Sequence, residues 1–245
     1  MAHDFSEPHH LPNRRLPEQA QADPYDLPRQ RRGITPQMHG RYPDYDCLEQ
    51  IRHWDELTRK VVVDRVEHVP ELRFFNESEA ATLTAFCDVV LAQDAEPRIP
   101  VLAFIDQKLA DGRLDGYQYA DMPDDRETWR RVARGLDEAA HATGAESYAD
   151  APHHRRQAIS DAFAAGTLEA GAWHELNLAH AWAVVMRSVL AAFYSHPWAW
   201  NEIGFGGPAY PRGYARLGVG LSEAWEGSEA FAVDPVADVR ARGLE

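Results

Sequence analysis

Two residues near the C-terminal end have the side chains that acid–base chemistry requires, His196 and Glu202, both inside the run from Tyr194 to Tyr214. Six rings travel with them: Tyr194, Trp198, Trp200, Phe205, Tyr210 and Tyr214. A carboxylate among aromatics is raised in pKa and can serve as an acid or a base. The ordinary alternative is an ion pair with Arg212 or Arg216. His196 stands just before Pro197, after a long apolar helical pattern. There its ring is expected to satisfy terminal carbonyls and its cation to suit the negative helix end; a functional role would require it to face a partner's active site. Other chemistries find no support. There is no Gly-x-Ser-x-Gly elbow, no cysteine beside a histidine and no hydroxyl in a Gly-rich turn. His9-His10, His153-His154, His174 and His180 lack the helical spacing to a carboxylate that metal sites use. Gly204-Phe205-Gly206-Gly207 has no following helix start, Lys or Ser/Thr to cradle a phosphate. Cys47 and Cys87, the two cysteines, lie on separate helical patterns and read as buried small hydrophobes of a reducing compartment, without a disulfide framework or zinc set.

The elements that must position these residues are helical. Tyr194–Tyr214 itself, with four glycines and three prolines, is expected to be a shaped loop rather than a continuous helix or strand. From Asp46 to about His68, Leu48, Ile51, Thr58, Val61, Val62 and Arg65 follow a helical period. Asn76 with Glu79 forms a capping box for a second helix with the stripe Ala80, Leu83, Phe86, Cys87, Val90 and Leu91. Val101 to Leu109 is a third, stopped by Gly112. Asp124 caps a fourth, which buries Trp129, Val132 and Leu136 and closes near Gly144. A fifth starts near Pro152 and runs through Ile159 and Phe163 to Gly166. The sixth, from about Trp173 to Tyr194, carries Leu178, Trp182, Val185, Met186, Val189, Leu190 and Phe193 and reads as the central helix. No stretch alternates at period two, so the fold class is all-α, about six helices around one core. The divisions are an extended or disordered N-terminal arm over 1–45, a helical domain over 46–220 and a tail over 221–245 that docks Trp225.

Composition narrows the function classes. The chain has 245 residues, 44% of them hydrophobic, enough for a core. Its 25 Lys and Arg against 39 Asp and Glu leave a formal charge of −14, which repels a phosphate backbone and argues against nucleic-acid binding. The short cluster Arg29, Arg31, Arg32 does not reverse this. No membrane insertion is expected, since the most apolar run, Ala179 to Phe193, is interrupted by Arg187 and Ser188. Arg14-Arg15 has no apolar region behind it and does not read as an export signal. Prolines at 8, 12, 17, 24, 28, 36 and 43 keep the arm from folding alone; Tyr25, Tyr42 and Tyr45 are its anchors if it wraps a partner.

The run Trp200-Asn201-Glu202-Ile203-Gly204-Phe205-Gly206-Gly207-Pro208-Ala209-Tyr210-Pro211-Arg212-Gly213-Tyr214, preceded by Phe193-Tyr194-Ser195-His196-Pro197, resembles the small subunit (subunit 3, or gamma) of gluconate 2-dehydrogenase and related FAD-dependent sugar dehydrogenases. Phe74-Phe75-Asn76-Glu77-Ser78-Glu79-Ala80-Ala81-Thr82-Leu83, Arg98-Ile99-Pro100-Val101 and Phe104-Ile105-Asp106 resemble its opening helices. The resemblance spans about residues 70 to 218. It implies a non-catalytic partner that stabilises or helps mature a flavoprotein large subunit of the glucose-methanol-choline type, with FAD in that partner and no cofactor or metal in this chain. Localisation is then cytoplasmic, or export with the partner. In that setting Trp198, Trp200, Phe205, Tyr210, Arg212 and Tyr214 are expected at the interface, with Trp200 and Phe205 equally open to closing the chain's own core. The competing readings are a stand-alone enzyme using Glu202 with His196 and a transient helical maturation factor.

Overall fold

The computed structural model describes residue 42 and residues 45–93, 96–113, 115–215 and 223–228. Most of the arm over 1–45, most of the tail over 221–245, and Arg216 lie outside the described residues. Among the described residues there are seven α-helices, two 3₁₀ segments and no strand, so the chain is all-α. They fall into two compact units, one formed by the chain up to His68 together with the part from Tyr194 onward, the other by Val69–Phe193.

The first unit holds a 3₁₀ segment Cys47–His53, α1 (Glu56–Glu67) and α7 (Pro197–Ile203). The single helix expected over 46–68 is broken because two acidic residues each start a new element. Asp46 accepts from the Leu48 amide and Asp55 from the Thr58 amide, the latter at 3.0 Å. The expected loop over 194–214 also needs correction. Its glycines begin only at Gly204, and Pro197 occupies the first helical turn, where the missing N–H costs nothing, so residues 197–203 coil into α7. Gly204 ends it in the left-handed conformation (φ 68°), with the Phe205 amide returning to the Trp200 carbonyl at 3.0 Å.

The core of this unit is Cys47, Leu48, Ile51, Trp54, Val62, Val66 and Trp200, with Tyr45, Val63 and Phe205 packed against it. Asn201 fastens α7 to the 3₁₀ segment by accepting from the Cys47 amide (2.7 Å) and donating to Asp46 (3.2 Å). Gly207 shows why glycine is needed here. It has φ 75°, and a Cβ would sit 2.5 Å from the Trp54 ring. Gly207→Ala is therefore expected to destabilise this unit by about 2 kcal/mol through combined backbone strain and displacement of the indole. Thermal unfolding of the variant reads this directly, and an unchanged midpoint would refute it.

The second unit holds α2 (Glu77–Val90), α3 (Val101–Ala110), α4 (Asp125–Ala142), α5 (His153–Ala165), a 3₁₀ segment Gly171–Glu175 and α6 (Leu178–Phe193). The starts over 76–79 and 124–127 form as expected: Asn76 and Glu79 make a complete capping box, and Asp124 accepts from the Glu127 amide. Gly166 ends α5 at φ 70°. The sixth expected helix begins later than Trp173 because Asn177 caps it from the side, accepting from the His180 amide, and Trp173 is instead in the separate 3₁₀ segment. α2 packs on α3, α4 and α5, and α6 on α3, α4 and α5. Phe86, Phe163, Trp173 and Trp182 meet in the middle, with ring centroids of Phe163 to Trp182 at 5.1 Å and to Trp173 at 4.8 Å. Leu190 departs from its expected inward placement and is 41% exposed. No single helix among the described residues is long and apolar enough to cross a membrane.

Candidate partner-binding surface

His196 is 2% exposed, and its place in the chain makes it an N-cap rather than a C-cap. The ring Nδ1 accepts the Trp198 amide at 3.2 Å, and the ring also hydrogen-bonds the backbone of Arg65. Burial, with the Arg65 cation nearby, pushes its pKa down to about 4, so it is neutral at pH 7. The expected imidazolium at a helix C-terminus is thus corrected: an acceptor at a helix N-terminus has to be uncharged. Both of these hydrogen bonds hold the chain. Glu202 is half-buried on α7.

Arg212 does not turn to Glu202. It donates to Gln50 Oε1 at 2.9 Å and to the Gly206 carbonyl, and its guanidinium lies 4.3 Å from the centre of the Trp225 ring. Burial lowers its pKa to about 10. Trp225 is docked as expected. Its carbonyl accepts the Tyr45 hydroxyl at 2.7 Å, and Gly206 leaves room for its ring. Tyr42 rests on Gly204 and Gly227. Tyr42 and Tyr45, read as anchors of an arm, are therefore engaged inside their own unit; burial pushes the Tyr45 phenol up.

The five rings of the expected interface separate by burial. Trp198 and Trp200 are 7% and 6% exposed, and Trp200 donates to the Tyr194 carbonyl at 2.7 Å. Phe205 is half-buried, edge-on to Trp200 at 5.6 Å. Tyr210 and Tyr214 remain at 52% and 45% exposure. In the same unit Leu57 and Val61, one turn apart on α1, are 73% and 53% exposed, and Ile203 is 40% exposed. Exposed rings and exposed aliphatic side chains thus occur in the same unit. Residues 77–207, more than half of the chain, match the family model for gluconate 2-dehydrogenase subunit 3.

The chain belongs to that family.

No curated protein and no solved structure matches it. Hydrogen-bonded clamps hold several helix entries. Before α2, the amides of Arg73, Phe74 and Phe75 all donate to the buried Asp106 carboxylate, at 2.6, 3.0 and 2.9 Å. Before α3, the Gln93 amide group pairs with both backbone groups of Ile99 (2.8 and 3.1 Å), and Arg98 reaches Asp88 at 2.5 Å. In α7, Asn201 does the equivalent work. These residues hold helix entries.

One cluster was not legible in the sequence. His180 pairs with Asp121 at 2.8 Å and stacks on Tyr119 at 4.0 Å, while Arg187 bonds Asp115 and lies over Tyr117. The partners are 59 and 72 residues apart, and no local spacing could announce them. Among the described residues no group of His, Cys, Asp and Glu is placed to hold a metal ion.

Proposed function

We propose that this chain is the non-catalytic small subunit of a dehydrogenase complex, and that it binds and stabilises an FAD-bearing large subunit of the glucose-methanol-choline type acting on a sugar or polyol. Membership of the subunit 3 family supports a place in a dehydrogenase complex. The observation that carries the binding role is the exposure of Tyr210 and Tyr214 on a segment braced by Arg212 and Trp225. Flavin belongs to the partner in this reading. The described part of the chain offers no strand, hence no strand-to-helix crevice of the kind that seats a dinucleotide. The complex stays in the cytoplasm or leaves it with the large subunit.

Trp198 and Trp200 drop out of the docking set because they close their own unit, and Arg212 acts as a brace behind it. The contact is assigned to Tyr210 and Tyr214, extended by Ile203, Leu57 and Val61. Replacing both tyrosines by alanine is expected to weaken the complex about thirtyfold, the effect of losing one hot spot of about 2 kcal/mol, with thermal unfolding of the free chain unchanged. The direct test is co-expression with flavoprotein candidates followed by size exclusion with a flavin absorbance trace. A yellow complex containing both chains, lost in the double variant, is the expected result. A colourless, separately eluting chain beside a fully active flavoprotein would overturn the reading, and a partner that needs the chain only during folding would identify a maturation factor.

A further inference from the structure

The connector between α3 and α4 is fastened to α6 by two clasps of side chains. In the first, the Asp115 carboxylate accepts from Lys108 Nζ at 2.6 Å and from Arg187 Nε at 2.8 Å, and Arg187 also donates to the Tyr117 hydroxyl at 2.5 Å while lying over that ring. In the second, Asp121 accepts from the Asn177 side-chain amide at 2.7 Å and pairs with His180, whose ring stacks on Tyr119. His180 and Arg187 both belong to α6 and are spaced by about two helical turns, so the clasps close on one face of that helix. The backbone adds little. Among the described residues the N–H groups of residues 116–120 make no hydrogen bond, and Gly116, Tyr117, Gln118 and Ala120 are exposed. A segment held through its side chains opens at lower cost than the packed helices around it.

A second carboxylate near the first clasp is left without a bond. Asp125, in the first turn of α4, is 8% exposed and accepts no hydrogen bond. The charges acting on it are Arg187 from α6, Asp115 from the connector, Lys108 from α3 and Asp124 from its own helix start. Both cations are already engaged by Asp115. The two acids are therefore driven apart: the Lys108 hydrogen bond, with Arg187, holds the Asp115 carboxyl below the usual carboxylate range, whereas burial pushes Asp125 up. Of the two, Asp125 is the costlier to leave unpaired, because Asp115 regains water when the connector lifts and a buried carboxylate does not. We infer that residues 115–121 form a strap that opens by exchange of an ion pair: Lys108 and Arg187 hold Asp115 while it is closed and turn to Asp125 when it lifts, baring the face of α6 between His180 and Arg187. The flexible lysine stem and the guanidinium fork allow the exchange without displacing either helix. This device lies within the second unit and is independent of the reading of the chain as a subunit.

The test is limited chymotrypsin digestion of the purified full-length chain, with cleavage after Tyr117 and Tyr119 followed by mass spectrometry. Its rate tracks the open population, and its ratio to cleavage after the fully buried Phe163 removes any change in global stability. Asp115→Asn is expected to raise the ratio about tenfold, the usual effect of losing one charge-assisted hydrogen bond. Asp125→Asn is expected to lower it about fivefold, because the cations then have no carboxylate to turn to in the open state. The pair decides the mechanism. With Asp115→Asn already in place the cations turn to Asp125 whether the strap is closed or open, so adding Asp125→Asn is expected to change the ratio by less than about twofold. Asp121→Asn cuts the other clasp and is expected to raise cleavage while leaving the effect of Asp125→Asn intact. An Asp125→Asn chain cut as fast as the parent or faster would overturn the exchange, as would an equal effect of Asp125→Asn with and without Asp115→Asn. Unchanged cleavage in both Asp115→Asn and Asp121→Asn would show that the connector is not a strap.

Discussion

Asp106→Ala is expected to destabilise the second unit by about 4 kcal/mol, the largest single effect predicted for this chain. Asp106 is 0% exposed, and its two oxygens accept three backbone N–H groups, from Arg73, Phe74 and Phe75. These amides precede α2 and have no helical partner of their own; the carboxylate on α3 replaces the water they would otherwise bind. Alanine at this position leaves three donors without their acceptor, the Phe75 amide among them in a buried position, and an unsatisfied buried polar group costs about 1–3 kcal/mol. The segment it holds also carries Phe75, 7% exposed and 6.1 Å from Trp129, so loosening it opens the core beside α4. Asp106→Asn keeps one accepting oxygen and is expected to lose about half as much. Thermal unfolding should show a fall of roughly 10–20 °C for the alanine variant. Hydrogen exchange supplies the specific signature, in which the amides of residues 73–75 lose protection before those of α4. A variant that melts like the parent, with those amides still protected, would show that the three hydrogen bonds contribute nothing net.

Where the sequence was legible, the signal was local. The capping box at Asn76 and Glu79, the Asp124 cap and the Gly166 stop each depend on residues within one turn, and all three form. Where it misled, the local pattern was read over too long a span. Asp46 and Asp55 cut one apparent helix in two, and Asn177 separates Trp173 from α6, because a short acceptor side chain near a helix start competes with continuing the helix. The aromatic run shows the same limit from the other side. Counting its glycines and prolines over 194–214 hid a seven-residue stretch, Pro197–Ile203, with one proline at the position that favours a helix. Its ring content marked the run as important and could not say which rings were for the chain itself. That division depends on the 3₁₀ segment Cys47–His53 and on Trp225, far away in sequence, which cover Trp200 and brace Arg212 while leaving Tyr210 and Tyr214 open. The charge on His196 could not be read until its neighbour was known to be a helix start.

That charge gives the second large effect, which is expected to appear in acid. The unfolded chain binds a proton at His196 with the ordinary pKa of 6.5, whereas the folded chain resists it down to about 4. Between those values the unfolded state holds more protons, so stability rises with pH there. The contribution is fully present above pH 7, is lost progressively as the pH falls below 6.5, and levels off below 4. Its total is about 3 kcal/mol, of which about 2 kcal/mol is gone by pH 5. The physical event is loss of the acceptor at Nδ1: a protonated ring cannot receive the Trp198 amide, and it places a cation at the positive end of α7 beside Arg65. Two carboxylates, half-buried Asp88 and buried Asp125, work in the opposite direction, since burial raises both and they take up protons more readily in the folded state. The comparison must therefore be with a variant rather than with the pH profile alone. His196→Asn keeps an oxygen that can cap α7 and has no proton to gain. Urea unfolding of both proteins between pH 7.5 and pH 4.5 is expected to show the parent losing about 2 kcal/mol more than the variant by pH 5, with the difference vanishing above pH 7. Parallel profiles for the two proteins would mean that the imidazole is reached by water and titrates alike in both states, and the cap would then owe nothing to the neutrality of His196.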